Sequence, residues 1–146
     1  MTEPMAQALE EARKAADRGE VPVGAVVVRD GKVIASAGNM TLELKDPTAH
    51  AEILAIRMAC EAIGSDRLVG CDLYVTLEPC TMCAGAVSFA RIRRLYYGAD
   101  DVKGGAVENG VRFFGDPACH HAPDVYSGMA AREASDILKA FFAMRR

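Results

Sequence analysis

The stretch that decides the fold is residues 72–98, DLYVTLEPCTMCAGAVSFARIRRLYYG. Residues 72–77 and 94–98 are short and rich in aliphatic and aromatic side chains, a composition that predicts two strands. Between them, residues 80–90 consist mainly of small residues and predict a helix that packs closely. A strand, a helix and a strand in succession imply a parallel strand pair joined by a right-handed crossover.

The segments on either side extend this unit into a larger sheet. The chain fits an amphipathic helix over residues 4–18, a hairpin of residues 21–28 and 32–37 turning at Asp30-Gly31, and a helix capped by Thr48 that runs to about residue 63. In that helix Ile53, Leu54, Ile56, Cys60 and the stem of Arg57 are expected to face the sheet. Residues 103–123 are expected to be irregular apart from a turn near residues 111–114, and a last helix covers about residues 129–144. We therefore predict the α/β class, with three α/β/α layers and a central mixed sheet of about five strands.

Length and composition indicate one domain over residues 1–146. The chain has 146 residues, of which 51% are hydrophobic, enough for a full-sized core. The first 20 residues lack the apolar stretch of a secretory signal, and no apolar run approaches the ~20 residues that span a bilayer. We therefore expect a cytoplasmic protein without a membrane partner. Five cysteines, an odd number, favour reduced thiols or metal ligands over a disulfide framework.

The charge balance restricts how the chain could bind nucleic acid. There are 17 Lys and Arg residues against 20 Asp and Glu residues, a formal net charge of −3. Proteins that hold nucleic acid mainly through phosphates carry a broad basic surface, which this composition does not provide. Local basic clusters exist at Arg91-Ile92-Arg93-Arg94 and at Arg145-Arg146. Both clusters fit either nucleic-acid contact or ordinary solvated surface.

Three residues form a candidate zinc site with one zinc ion per chain. Two cysteines, Cys80 and Cys83, and one histidine, His50, are strong zinc ligands, and three protein ligands leave a position for water as in catalytic sites. We expect Glu52 to act as a base, because carboxylates rarely complete a site that has two thiolates. The Cys80–Cys83 spacing also occurs in redox pairs, an alternative that His50 and Glu52 make less favourable. Cys60 and Cys71 are expected to be packing residues, and Cys119-His120-His121 is a weaker candidate for a second metal site.

The spacing of these residues predicts how they meet. His50 and Glu52 are two apart and cannot share the side of a helix, so the helix must direct its first turn at the metal. Cys80 and Cys83 are three apart and share one face in the first turn of the next helix. Two helix N-termini are thus expected to converge on one ion. Glu52 would then take a proton from water, deliver it to a ring nitrogen of the substrate, and later protonate the departing amine.

The chain resembles the cytidine deaminase-like superfamily, whose signature is His-x-Glu followed by Pro-Cys-x-x-Cys. Within it, the chain is most similar to the bacterial tRNA adenosine deaminases, on the basis of VPVGAV at 21–26, Asn39, DPTAHAE at 46–52, LYVTLEPC at 73–80 and FFAMRR at 141–146. The resemblance implies a homodimer that hydrolyses the wobble adenosine of a tRNA anticodon loop to inosine. It implies zinc bound by His50, Cys80 and Cys83, with Glu52 as the proton shuttle. The substrate contacts that it implies are Asn39, the backbone at Ala51 and Pro79, Asp101 in its loop, and the C-terminal helix with Phe142.

Two other functions remain open on the sequence. A deaminase of free bases or nucleotides, of the guanine or cytosine type, would use the same zinc site. A non-catalytic RNA-binding module stabilised by zinc is possible if Glu52 closes the coordination.

Overall fold

A computed structural model describes residues 3–145 of the chain. Arg146, part of the C-terminal basic cluster, lies outside the described residues. The elements, in chain order, are α1 (Glu3–Asp17), β1 (Gly24–Arg29), β2 (Lys32–Gly38), α2 (Ala51–Ile63), β3 (Cys71–Leu77), α3 (Thr81–Ala90), β4 (Arg94–Ala99), a short 3-10 turn (Phe113–Gly115), β5 (Asp124–Tyr126) and α4 (Ala131–Ala143).

The strands form one five-stranded mixed sheet in the order β2-β1-β3-β4-β5. β1 is antiparallel to both β2 and β3, whereas β4 runs parallel to β3 and β5. The β1–β2 hairpin turns at Asp30 and Gly31, which both have positive φ values of 52° and 74°, as a tight two-residue turn requires. The parallel pair across α3 confirms the crossover predicted from residues 72–98.

Helices cover both faces of the sheet, which confirms the three-layer α/β/α prediction. On one face, side chains of α2 and α3 share a core with residues of β1, β3 and β4 such as Val27, Leu73 and Leu95. On the other face, Met5 and Ala8 of α1 pack against β1, and Leu9 contacts a smaller cluster that includes Ala134 of α4. Within residues 3–145, no helix is both long and apolar enough to cross a membrane.

The start of α2 corrects the prediction that Thr48 caps this helix. The N-cap is His50, and the Thr48 hydroxyl donates instead to Asp46 Oδ1 at 2.6 Å. Thr48 is therefore held in a local turn formed by the Asp46 side chain, which competes with helix initiation. Gly64 ends α2 with a φ of 70°, as predicted.

The face that α2 presents to the sheet also differs from the prediction. Its buried residues are Ala51, Glu52, Ala55, Ile56 and Ala59. Of the five side chains expected there, only Ile56 is buried; Ile53, Leu54 and Cys60 are half-buried and Arg57 is exposed. Small alanine side chains let the helix approach the sheet closely, so the bulkier residues lie at the edge of the contact.

The region between β4 and α4 contains a strand that the sequence did not predict. β5 has three residues, Asp124–Tyr126, and pairs with β4 through Arg94↔Asp124 and Tyr96↔Tyr126. Such a short and largely exposed strand has no periodic signal of its own and is formed by pairing with β4. The turn expected near residues 111–114 is the 3-10 turn Phe113–Gly115.

Candidate metal centre and active site

The candidate site lies where the N-termini of α2 and α3 meet beyond the C-terminal end of β3. His50 is the N-cap of α2 and Cys80 is the N-cap of α3, both with extended backbone conformation. Neither side chain makes a capping hydrogen bond, so both are available to face the centre of the site. Cys83 lies in the first turn of α3, and Glu52 is the second residue of α2. The convergence of two helix ends predicted from the spacing is confirmed.

The three candidate ligands are brought together at distances that suit zinc. His50 Nδ1 lies 3.6 Å from Cys80 Sγ and 3.6 Å from Cys83 Sγ. All three ligand atoms lie within 4.8 Å of one another. A tetrahedral zinc ion, with Zn–N of about 2.05 Å and Zn–S of about 2.3 Å, holds its nitrogen and sulfur ligands about 3.6 Å apart. The donor set therefore fits a zinc ion, with Nδ1 as the histidine donor.

Electrostatics within the donor set favour a thiolate at Cys80. Hydrogen bonds from the Cys83 thiol and from His50 outweigh partial burial and hold the pKa of Cys80 at about 4. The hydrogen bond to Cys80 raises the pKa of His50, because the thiolate stabilises the imidazolium. The same hydrogen-bonded pairing and burial raise the pKa of the Cys83 thiol above its usual range. Thiolate sulfur is the form that binds zinc.

Glu52 is buried beside this donor set. Its side chain is only 4% exposed, and burial is the main cause that raises its pKa to about 7. The negative charge of Cys80 acts in the same direction, whereas its own backbone N–H and the hydrogen bond from Cys83 lower the pKa. No ion pair to Lys or Arg balances Glu52 in the described part of the chain.

A cavity of about 240 Å³ opens onto His50, Glu52 and Cys80. Pockets for drug-sized ligands are roughly 300–1,000 Å³, so this cavity is suited to a single base. The remaining lining residues are Val21, Val23, Asn39, Thr41, Leu77, Glu78 and Asp101. Larger grooves of about 440, 550 and 620 Å³ lie elsewhere on the described surface, and their linings do not include the donor set or Glu52.

Two of the predicted substrate contacts, Asn39 and Asp101, line this cavity. Asn39 Oδ1 accepts the N–H of Ala51 at 2.8 Å, so the buried Ala51 holds Asn39 in place and is not itself in the lining. Asp101 Oδ1 accepts the backbone N–H groups of Lys103 and Gly104 at 3.2 and 2.9 Å. These amides offset the charge of Asp101 and make it part of a turn.

Like Ala51, the remaining predicted contacts, Pro79 and Phe142, do not line the cavity. Pro79 is buried, and its carbonyl accepts the N–H of Ala106 at 2.9 Å. Phe142 lies on α4, is 49% exposed and packs edge-on against Phe141, with ring centroids 5.3 Å apart. Phe141 is a core residue with the Arg145 guanidinium 3.6 Å above its ring.

Two nearly fully buried carboxylates had no role on the sequence alone: Glu78, which lines the cavity, and Glu20, which is bonded to the lining residue Thr41. Glu20 is 1% exposed and accepts hydrogen bonds from Thr41 Oγ1 and the N–H groups of Leu42 and Glu43. Glu78 is 2% exposed and is itself one of the residues that line the cavity. For Glu78, the signal in the sequence is its position directly after the buried strand β3 and directly before the Pro-Cys-x-x-Cys motif.

The basic cluster near Arg91 lies away from the cavity. Arg93 and Arg94 pair with Asp72 at the start of β3 and β4, whereas the cavity lies beyond the C-terminal end of β3. Arg93 makes a bidentate pair with Asp72, at 3.0 Å for both bonds. These side chains therefore do not contribute directly to the cavity.

The remaining cysteines lie outside the metal site. Cys71 is buried, as expected of a packing residue, and Cys60 is half-buried. Cys119 Sγ lies 3.5 Å from Ser88 Oγ and 3.1 Å from the His121 carbonyl oxygen, and His121 Nε2 contacts the Ile92 carbonyl. Within residues 3–145, the one group of three metal-ligating side chains that could hold an ion is His50, Cys80 and Cys83.

A mixed α/β/α sheet with a His-Cys-Cys donor set and a buried glutamate at two helix ends defines the chain as a hydrolytic deaminase. More particularly, the chain belongs to the MafB19-like deaminase family, whose model matches residues 1–146. The chain is 70% identical to the tRNA-specific adenosine deaminase of Agrobacterium fabrum over 142 residues, 97% of this chain and 93% of that protein.

Solved structures agree with this relationship. A structure from a study of A-to-I editing by tRNA:A34 deaminases at the wobble position of transfer RNA is 70% identical, with a TM-score of 0.93, and the match covers 94% of this chain and 100% of that one. A guanine deaminase from Nitrosomonas europaea is 25% identical, with a TM-score of 0.78 over 96% of this chain and 83% of that one. The resemblance to the tRNA adenosine deaminases found in the sequence is confirmed.

Proposed function

We propose that this chain is a hydrolase that converts the wobble adenosine of a tRNA anticodon into inosine and releases ammonia. The observation that carries the proposal is the donor set of His50, Cys80 and Cys83 beside the buried Glu52 at one base-sized cavity. The tRNA substrate is supported by the 70% identity to the A. fabrum enzyme along 97% of this chain. Anticodon bases suit such a cavity, because loop bases can be turned out of the stack at low cost.

The proposed ligands of one zinc ion per chain are His50, Cys80 and Cys83. When bound, zinc lowers the pKa of a water ligand to about 7 and so makes the nucleophile available at neutral pH. The N-termini of α2 and α3 both direct their partial positive charge at this point. Cys80 and Cys83 are held by the first turn of α3, and His50 by the start of α2, so the ligands are positioned by two rigid elements.

Glu52 is proposed to carry the protons of the reaction. Its carboxylate accepts a proton from the attacking water and passes it to the ring nitrogen beside the attacked carbon. It then takes the second proton from the oxygen now bonded to that carbon and gives it to the departing amine. One water is consumed and one ammonia leaves, so the carboxylate returns to its starting protonation state in each turnover. Burial of Glu52 against Cys83 keeps bulk water away from these transfers.

The proposed substrate contacts follow from the hydrogen bonds of the cavity residues. Asn39 uses its Oδ1 to accept from Ala51, which leaves its amide NH₂ to donate to the base. The turn around Asp101 would form the wall that faces the flanking nucleotides, and the buried Pro79 supports it from behind through its bond to Ala106. Phe142 is half exposed on α4 and is proposed to stack on a nucleotide outside the cavity.

We further propose that residues 1–146 form one deaminase domain that acts in the cytoplasm as a homodimer without a membrane partner. The dimer is supported by large apolar side chains on the layer formed by α2 and α3. Phe89 is 77% exposed and Met58 is 47% exposed, and a Cβ at Gly85, one turn before Phe89, would meet nothing within 4 Å. An exposed apolar helix face of this kind is typical of a protein interface.

Light scattering after size exclusion tests the dimer. Wild type is expected at twice the 15.6 kDa of the chain and Phe89→Glu at a lower mass. The matched control is Val69→Glu, since Val69 is 71% exposed but lies outside α2 and α3. A monomeric wild type would contradict the proposal.

The substrate is tested by incubating the pure enzyme with an anticodon stem-loop that carries adenosine at the wobble position, and separately with free guanine, cytosine and adenine. Inosine in the stem-loop and no ammonia from the free bases is the expected result. The guanine deaminase neighbour makes free guanine the informative competitor. Ammonia from guanine together with an inert stem-loop would replace the proposed substrate by a free base.

The role of Glu52 is tested by Glu52→Gln, with Glu61→Gln as the matched control. Glu61 is exposed on the same helix, so its variant makes the same charge change away from the site. Glu52→Gln is expected to keep its zinc and to lose about 10²- to 10⁴-fold in turnover, the usual range for a proton carrier, whereas Glu61→Gln stays at wild-type turnover. Loss of zinc in Glu52→Gln would favour a closed structural site in a non-catalytic RNA-binding module.

A further inference from the structure

Glu78 makes an unusual set of hydrogen bonds for a buried carboxylate. It is 2% exposed and pairs with no Lys or Arg in the described part of the chain. Oε1 accepts the Asp101 N–H at 2.9 Å and Asn109 Nδ2 at 2.6 Å. Oε2 accepts the N–H groups of Val107, Glu108 and Asn109 at 3.0, 2.9 and 3.0 Å. One side chain thus binds both ends of the segment 101–109, which we call the rim loop.

The rim loop closes tightly around this carboxylate. A Cβ added at Gly105 would lie 2.5 Å from Glu78 Cδ and 2.5 Å from the Asp101 carbonyl oxygen, so no larger residue fits there. Ala106 donates its N–H to the Pro79 carbonyl at 2.9 Å. The rim loop is therefore attached to Glu78 and Pro79, the two residues that directly precede the candidate ligand Cys80.

An ionised carboxylate suits these five donors, because it offers four lone-pair sites and no hydrogen, and the three donors at Oε2 share its sites. The amide of glutamine would instead present an NH₂ group to some of these N–H donors. Leaving such buried N–H groups without acceptors is costly, so the loop would have to open to reach water. The conformation of the rim loop thus depends on this one side chain.

We propose that Glu78 is a positioning residue that holds the rim loop in the conformation that receives the nucleotides flanking the target base. The proposal rests on the proposed function for its substrate and on the hydrogen bonds of Glu78 for its mechanism. Asp101 lines the cavity from this loop, so the loop forms one wall of the entrance. Glu78 acts through that wall and takes no part in the chemistry.

The expected effect is on substrate binding more than on turnover. A loop that is competent in only a fraction of molecules raises the apparent KM by the reciprocal of that fraction. Glu78→Gln is expected to raise the KM for the anticodon stem-loop at least tenfold and to change kcat less than threefold. Zinc content is expected to stay at the wild-type value, because the metal ligands belong to α2 and α3.

Hydrogen exchange provides a readout that does not depend on substrate. In Glu78→Gln the amides of Val107, Glu108 and Asn109 are expected to exchange at least tenfold faster, with α2 and α3 unchanged. Leu68→Ala is the control for general destabilisation, because Leu68 is fully buried before β3, at the far end of the sheet. This control is expected to leave KM and rim-loop exchange unchanged at temperatures where it is folded.

A milder variant keeps the test decisive if Glu78→Gln does not fold. Asn109→Ala removes the 2.6 Å bond and leaves the carboxylate with its four backbone donors. It is expected to raise KM about threefold and to speed rim-loop exchange. Unchanged exchange in both variants, or loss of zinc in place of a KM effect, would overturn the proposal. An inert stem-loop with wild-type enzyme, together with faster loop exchange in Glu78→Gln, would instead overturn the proposed substrate and keep the role of Glu78 in the loop.

Discussion

Substituting Gly24 by alanine tests how α1 packs on the sheet. A Cβ at Gly24 would lie 1.9 Å from the Ala8 carbonyl oxygen and 2.7 Å from the Ala12 nitrogen, both backbone atoms of α1. Its cross-strand partner Gly38 is similarly close, with the Glu11 carbonyl oxygen 2.7 Å from a Cβ built there. The two glycines form the surface on which the backbone of α1 rests, since no side chain separates them from it.

The size of the effect follows from these distances. An ordinary contact between the new Cβ and the Ala8 carbonyl oxygen needs about 3.4 Å, so α1 must move away from the sheet by about 1.5 Å. A gap of even 0.5–1 Å between packed atoms already loses a quarter to a half of each dispersion contact. Overpacking typically costs about 1–3 kcal/mol, and here backbone atoms cannot rotate away. We expect Gly24→Ala to lower the free energy of unfolding by about 3 kcal/mol, against a gain of about 0.8 kcal/mol for one buried methyl group. At about 4 °C per kcal/mol for a chain of this size, Tm falls by about 12 °C.

Urea unfolding followed by circular dichroism measures this change as a shift in midpoint at constant m value. Gly115→Ala is the matched control, because a Cβ at Gly115 meets nothing within 4 Å. This control is expected to change stability by less than about 0.5 kcal/mol. Equal midpoints for the two variants would refute the close packing of α1 on β1.

Two further predictions concern pH and the start of α2. Burial first, and then the hydrogen bonds to Glu108 (2.6 Å) and Asp100 (3.0 Å), raise the pKa of the Tyr97 phenol well above its usual range. Above pH ~10 the unfolded state therefore loses a proton that the folded state keeps, so the free energy of unfolding falls with pH by up to about 1.4 kcal/mol per pH unit. Tyr97→Phe should flatten this pH dependence between pH 9 and 11, as measured by urea unfolding at each pH. The same pH dependence in wild type and Tyr97→Phe would contradict the prediction. Thr48→Val is expected to cost less than about 0.5 kcal/mol, since a true cap would cost about 1 kcal/mol. The same variant should raise the pKa of Asp46, which the Thr48 hydroxyl and N–H lower, as followed by NMR of the carboxyl carbon.

The sequence alone determined the local elements and the identity of the donor set. The β3–α3–β4 unit was predictable, because strand and helix signals are local and the crossover has one favoured hand. Two residues separate Cys80 from Cys83, and one separates His50 from Glu52, so the local geometry of a first turn placed each pair. The meeting of the two pairs at one point could also be predicted, because His50, Cys80 and Cys83 together make the ligand set of one zinc ion.

The tertiary structure decided what depends on residues far apart in the chain. β5 forms only because β4 offers it an edge, and α2 begins at Ala51 because Asp46 binds Thr48 in a turn while Asn39 accepts the Ala51 N–H. The choice of Nδ1 at His50 depends on where α3 places its two sulfur atoms.

The role of Glu78 is the clearest case of this kind. A glutamate after a strand has the same local sequence whether it faces solvent or a loop some thirty residues later. Its partners Val107, Glu108 and Asn109 are identified only when the chain is folded. Local pattern sets which groups can react and where helices start, whereas hydrogen bonds between distant segments set the shape of the cavity in which they act.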